Sequence, residues 1–218
     1  MANYRPKIIL SAAISLDGKI STRTGDSKLS SKKDLIRLHK LRSKVDAILI
    51  GKNTVKKDDP LLTVRYCKGK NPTRIILDSS GTISINSKIL QTSNRVKTII
   101  TVSKKIPKKN LQKLEKFPVD VILTGENRVN VKSLLQNLGT KKIKTILLEG
   151  GGSINWEFIK NNLVDEFFIT ITPYVLGGTD AVSLVQGKGF DMILKSTKLR
   201  LISIRRLQND VVLHYKKL

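Results

Sequence analysis

The chain has 218 residues, a formal net charge of +24 and one cysteine; hydrophobic residues make up 39% and charged residues 27%. That composition excludes a disordered chain, and the length allows one large domain with a sizeable core. Cys67 alone excludes an intramolecular disulfide and a cysteine-rich metal site, and two histidines, His39 and His214, argue against bound zinc, so no metal is expected.

The opening stretch, Met1 to Lys7, carries no secretory signal, and the apolar run that follows at 8–14 is too short to span a bilayer. The expectation is a cytoplasmic protein whose first core strand is 8–14. Further strands are predicted at 47–50, 74–77, 98–102, 120–123 and 145–148, several of them continuous Ile, Leu and Val runs that suit burial on both faces. Helices are predicted between them at 32–44, 54–58, 107–116, 131–138 and 154–161. Ser31 and Asn130 are candidate N-caps, and Gly139 a helix terminator. This alternation predicts a mainly parallel sheet covered by helices. The tail differs: 165–172, 200–206 and 211–216 read as strands, the last two joined at Gln208-Asn209-Asp210 as a hairpin. The fold class is therefore α/β, with a mixed, mostly parallel sheet and an antiparallel C-terminal edge.

One junction carries most of the chemistry. An apolar strand ends at Leu148, then come Glu149, Gly150, Gly151, Gly152 and Ser153, then a helical pattern. Glycines let backbone N–H groups approach an anion closely, and a helix start adds free donors and the positive end of a dipole. The motif reads as a phosphate cradle suited to a dinucleotide, or as no more than a compact turn. A Rossmann fingerprint is not matched, because the spacing is not G-x-G-x-x-G and too little chain follows for a second half.

In open α/β sheets ligands lie at the carboxyl ends of the strands. Here those ends read Ser15-Leu16-Asp17-Gly18, Gly51-Lys52-Asn53-Thr54, Asp78-Ser79-Ser80-Gly81, Ser103-Lys104, Thr124-Gly125 and Glu149 to Ser153. Each is ordinary turn chemistry; their shared location is the stronger signal. Asp17 with Gly18 reads as a plain turn. The +24 charge leaves an RNA-binding reading to weigh. Against it, the lysines are scattered, aromatics are 5%, and no recognition motif accompanies them, so a lysine-rich solvated surface is the better reading.

Four blocks resemble the reductases of riboflavin biosynthesis that act on a ribosylaminopyrimidine phosphate. The first is Ala13-Ile14-Ser15-Leu16-Asp17-Gly18-Lys19-Ile20 with Gly25-Asp26-Ser27. The second is His39-Lys40-Leu41-Arg42 leading to Asp46-Ala47-Ile48-Leu49. The third runs from Gly51-Lys52-Asn53-Thr54 through Asp58-Asp59-Pro60-Leu61-Leu62 to Thr63-Val64-Arg65. The fourth is Leu148-Glu149-Gly150-Gly151-Gly152 with Leu163-Val164-Asp165-Glu166 and Pro173-Tyr174-Val175-Leu176-Gly177-Gly178. The resemblance implies a dihydrofolate-reductase-like fold and NADPH as cofactor, with NADH the lesser alternative. It places Thr54, Asp58 and Ser79, with the adjoining Ser80 and Gly81, on the cofactor, and Gly150 to Ser153 on its diphosphate. It places Ser27, Arg42, Leu62, Arg65 and Glu149 on the substrate.

Guanidinium groups suit a sugar phosphate through forked, charge-assisted bonds. Arg42 also reads as a helix C-terminal cation and Arg65 as an exposed strand-end charge. Ser103 and Lys104 are the physical candidates for the 2′-phosphate. Glu149 is the one candidate for proton relay, and the catalytic acid is otherwise unassigned. No match to the His-x-Glu and Cys-x-x-Cys deaminase signature of many bacterial relatives is present. The chain is thus expected to be a single reductase domain over 1–218, similar to the stand-alone archaeal and fungal type. The implied substrate is 2,5-diamino-6-ribosylamino-4(3H)-pyrimidinone 5′-phosphate, reduced at ribose C1′; the rival is another dihydrofolate-reductase-like NADPH reductase, for instance one acting on the deaminated pyrimidinedione phosphate. The resemblance also implies a homodimer, with the apolar C-terminal strands as its interface.

Overall fold

The computed structural model describes residues 5–218. Most of the opening stretch on which the signal-peptide reading rests, residues 1–4, lies outside the described residues. No helix among the described residues is long and apolar enough to cross a membrane.

In chain order the elements are β1 (Lys7–Ile14), β2 (Lys19–Ser21), α1 (Lys32–Arg42), β3 (Ala47–Gly51), α2 (Lys52–Asp58) and β4 (Thr73–Leu77). There follow α3 (Lys88–Gln91), β5 (Thr98–Val102), α4 (Lys108–Leu114), β6 (Asp120–Leu123), α5 (Val131–Thr140), β7 (Thr145–Leu148) and α6 (Gly152–Lys160). The chain closes with β8 (Glu166–Ile171), β9 (Val182–Ser183), β10 (Leu199–Leu207) and β11 (Asp210–Lys217). Among the described residues, nine strands form one sheet in the order β10-β11-β8-β1-β7-β3-β4-β5-β6. From β8 to β6 every neighbouring pair is parallel; β11 runs antiparallel to β8, and β10 to β11. The parallel strands therefore end along one common edge.

Why the strands read as continuous apolar runs is visible in the packing. Side chains alternate between faces, and both faces are covered. Ile8, Leu10, Leu49, Ile75, Ile146 and Leu148 enter the core beneath α5 and α6. Ile9, Ile48, Ile50, Ile76, Ile100 and Leu147 enter the core beneath α1, α2, α3 and α4.

Ser31 and Asn130 cap their helices, accepting from the N–H groups of Asp34 and Ser133. Gly139 does not stop its helix. α5 continues through Thr140, Lys141 is the C-cap, and Lys142 takes the left-handed conformation at φ 63°. The expected hairpin forms, with Gln208 at φ 62° in its turn. Two features had no sequence signal: the four-residue α3, and the ribbon in which β2 pairs β9.

Candidate functional site

A cavity of about 860 Å³ opens along the carboxyl ends of the parallel strands. Its floor is the C-terminal half of β1, where Ser11, Ala12 and Ala13 keep side chains small. Thr54 and Asp58 reach it from α2, Ser79 and Ser80 from the turn after β4, and Glu149 to Ile154 from the β7–α6 junction. Ser27 enters from the loop before α1, Leu38 and Arg42 from α1 itself, and Leu62 from the loop after α2.

The glycines have distinct jobs. A Cβ on Gly151 would meet only the Thr54 hydroxyl, at 3.6 Å, and so would stand in the cavity. A Cβ on Gly152 would lie 2.4 Å from the Ser183 carbonyl oxygen and 3.0 Å from Gln186 Cγ. Gly152 is thus required by the strap after β9, which crosses here and bonds Gln186 N–H to Gly152 O at 3.0 Å. Asn155 Nδ2 donates to Leu184 O at 2.8 Å and ties the same strap to α6. Gly152 and Ser153 head α6, so their N–H groups have no intrahelical partner. These donors, the open side of Gly151 and the helix dipole together fit an anion, and fit the diphosphate of a dinucleotide.

Arg42 and Glu149 are brought together, but on each other. Arg42 Nε donates to Glu149 Oε1 at 2.8 Å and Nη2 to Oε2 at 2.6 Å, with both side chains about a tenth exposed. Burial draws the guanidinium pKa down, and the charge and hydrogen bonds of Glu149 more than offset this, leaving it raised. Arg42 Nη1 also reaches Thr63 O at 3.3 Å. Little of the fork is left for a phosphate while this pairing holds. Ser27 Oγ donates to Asp58 Oδ1 at 3.1 Å, so an expected substrate contact touches an expected cofactor contact. Partial burial raises the Asp58 pKa; Ser27 and Lys57 oppose the rise.

Four expected residues stand outside the lining. Ser103 is buried, and its hydroxyl donates to Ser79 O at 2.9 Å. Lys104 pairs with Glu126 at 2.6 Å on the surface. Gly81 sits at φ 62° in the turn below Ser80, where a Cβ would strike Ile106 Cδ1 at 2.7 Å. Arg65 has an exposed side chain, and its backbone N–H is held by His39. Conversely, Asn127 and Arg128 from the loop after β6, and Gln186 from the strap, line the cavity and were missed. Arg128 makes no ion pair among the described residues. Its loop is fastened to the turn after β4 by the Val129 N–H, which donates to Ser79 Oγ at 3.1 Å.

Two further polar residues outside the lining are extensively hydrogen-bonded. Arg74 is fully buried and pairs with no carboxylate among the described residues. It donates to Thr92, Thr98 and three backbone carbonyls, among them Leu61 O at 3.3 Å, beside cavity-lining Leu62 at φ 50°. Burial pulls its pKa down to about 10. Asp17 does more than turn the chain. Its carboxylate accepts from Ser15 Oγ and from the N–H groups of Leu176 and Gly177, and these bonds, that of Ser15 foremost, hold its pKa at about 2.

Comparison with known proteins agrees with this geometry. The family described as "RibD C-terminal domain" matches residues 6–213. Two curated relatives named 2,5-diamino-6-ribosylamino-4(3H)-pyrimidinone 5′-phosphate reductase are each 38% identical. That of Methanothermobacter thermautotrophicus aligns over 97% of this chain and 98% of its own length; that of Aquifex aeolicus aligns over 91% of each. A crystal structure from Thermotoga maritima superimposes with a TM-score of 0.82 at 27% identity. It is described as a diaminohydroxyphosphoribosylaminopyrimidine deaminase/5-amino-6-(5-phosphoribosylamino)uracil reductase. The match covers 98% of this chain and 57% of that longer one.

Proposed function

This chain belongs to the RibD C-terminal domain family, and we propose that it reduces 2,5-diamino-6-ribosylamino-4(3H)-pyrimidinone 5′-phosphate with NADPH, in riboflavin biosynthesis. The observation that carries the reading is the open face of Gly151 at the head of α6, in the same cavity as Arg42 and Glu149. A dinucleotide cradle and a polar pocket for a second ligand thus share one wall.

Thr54, Asp58, Ser79, Ser80 and Gly150 to Ser153 would hold the cofactor. The bound nicotinamide would supply a hydride to ribose C1′ of the ring-opened imine. The chain's own contribution is to bind, orient and exclude water. Gly151 admits the diphosphate by lacking a side chain. Leu62, which follows the Leu61 carbonyl that Arg74 holds, would wall the substrate end. Arg42 would offer the sugar phosphate the N–H groups that Glu149 and Thr63 leave free, with Ser27 and the exposed Arg65 as further contacts. Glu149 would accept from pyrimidine amino groups or sugar hydroxyls, and is the residue in reach for a proton.

Preference for NADPH over NADH needs a cation near the 2′-phosphate. Ser103 and Lys104 are committed elsewhere, so Arg128, in the cavity wall and without an ion pair among the described residues, is the better candidate. We also propose a homodimer. β10 is a nine-residue sheet edge with Leu199, Leu201, Ile202 and Ile204 exposed, and such an edge offers both backbone pairing and apolar area. Its substrates being soluble phosphorylated metabolites, the enzyme is assigned to the cytoplasm.

The test is turnover of the diamino and the deaminated phosphates side by side, each with NADPH and NADH. Preference for the diamino compound with NADPH is expected. Faster turnover of the deaminated compound would transfer the assignment to that substrate, and no turnover of either would refute it.

A further inference from the structure

His39 lies on the last turn of α1, three residues before Arg42, and is 1% exposed. The backbone N–H of Arg65 donates to its Nδ1 at 2.8 Å. A backbone amide can only donate, so Nδ1 must be bare and the proton of the neutral ring must sit on Nε2. Nε2 is 3.4 Å from Arg42 Nη1. Both of those atoms then carry hydrogens, which makes the approach a packing contact and not a hydrogen bond. The Tyr66 ring stands edge-on to the imidazole, with centroids 4.6 Å apart and planes at 87°. Arg42 reaches the same loop one turn away, through Nη1 to Thr63 O at 3.3 Å. The loop at 63–66 is therefore tied to the end of α1 at two adjacent points.

We propose, resting on the reductase reading above, that His39 is a positioning residue for the substrate end of the cavity. Its bare Nδ1 anchors the Arg65 backbone, and so sets where the Arg65 side chain stands relative to the Arg42–Glu149 pair. His39 touches no reacting atom in this account. It acts through Arg65 and through the loop that delivers Leu62.

The surroundings keep the ring in the form this task needs. Arg42 faces it from its own helix, Arg65 and Tyr66 from the loop, and Glu149 from the end of β7. Burial, then the two guanidinium groups, push the imidazole down to about 4, with Glu149 pulling the other way. Protonation would set an N–H against the Arg65 N–H and a cation against Arg42, so the anchor is released only in acid.

Two measurements test this. Long-range 1H–15N spectra of the unaltered protein should show Nε2 protonated and Nδ1 bare at neutral pH. A proton on Nδ1 would overturn the proposal by itself. The second compares His39→Leu, which keeps bulk without an acceptor, with His39→Asn, whose amide oxygen can stand where Nδ1 stands. His39→Leu should raise KM for the sugar-phosphate substrate about tenfold, leave the NADPH dissociation constant near its original value, and be largely rescued by His39→Asn. An unmoved KM, a parallel loss of NADPH binding, or failure of the asparagine rescue would overturn it. If the unaltered chain does not turn over this substrate, the reductase reading falls, and the ring spectra still decide the anchor separately.

Discussion

Replacing adjacent glycines separates a ligand cradle from a packing constraint. At Gly151 the backbone is at φ −73°, ψ 169°, open to any residue, and an added methyl meets only Thr54 Oγ1 at 3.6 Å. Gly151→Ala should cost about 0.5–1 kcal/mol at this helix N-cap, where glycine is preferred to alanine, and lower the melting temperature by no more than about 4 °C. The methyl would, however, occupy space the diphosphate needs. Loss of one charge-assisted hydrogen bond is worth about 1.5–3 kcal/mol, which is roughly a tenfold to hundredfold loss of NADPH affinity. Gly152→Ala should do the opposite. Its methyl would sit 2.4 Å from the Ser183 carbonyl oxygen, so the strap must move. Overpacking of this kind costs ~1–3 kcal/mol, or roughly 3–10 °C for a chain of this size. Fluorescence titration with NADPH and a thermal melt on each variant supply both readings. Unaltered NADPH affinity in Gly151→Ala, or an unaltered melt in Gly152→Ala, would refute the division of labour.

Arg128→Ala should weaken NADPH binding about tenfold or more while leaving NADH binding nearly unchanged, read by parallel titrations; equal loss of both would count against the 2′-phosphate assignment. Glu149→Gln leaves Arg42 buried without its counter-charge and should cost about 3 kcal/mol in urea unfolding, together with a higher substrate KM; a neutral result would mean that the ion pair does not organise the site. Stability should also fall in acid. His39 binds its proton more weakly folded, at about 4, than unfolded, at 6.5, so its contribution is complete above pH 6.5 and is lost as pH falls toward 4. The amount is on the order of 3 kcal/mol. His39→Leu should flatten that slope in urea melts at pH 7.5 and 4.5. Asp165, held below its usual value against the opposing effect of burial by bonds from Arg5 and the Ile8 N–H, adds a further loss below about pH 4.

The central strands were legible because burial on both faces leaves little room for a polar residue, and such runs stand out in any frame. Ser31 and Asn130 were legible as caps for a local reason: the capping oxygen lies within three residues of the N–H it accepts from. Locality also explains the misses. α3 is a single turn with no period to read, and β2 finds its partner β9 some 160 residues away. Gly139 looked like a stop because glycine often is one, but the following residues keep their helical bonds and Lys142 makes the left-handed turn instead.

The same division holds for the cavity. Parallel strands ending on one edge bring Thr54, Ser79 and Glu149 to Ser153 together, and that follows from topology. Which side chain a connecting loop turns inward does not. Arg128 lines the cavity and Lys104, one strand earlier, pairs with Glu126 outside it. That Arg42 and Glu149 would meet each other, 107 residues apart, required both to be placed in three dimensions. Gly152 reads from the sequence as a phosphate glycine; that its missing side chain also makes room for the crossing strap could not be seen without β9.

The most direct test of the account follows a label. NADPH carrying deuterium at the transferable C4 position, incubated with the protein and the diamino ribosylaminopyrimidine phosphate, should leave that deuterium on C1′ of a ribitylamino product, read by mass and NMR. Product with deuterium elsewhere, or with label at C1′ arriving only from heavy water, would contradict it.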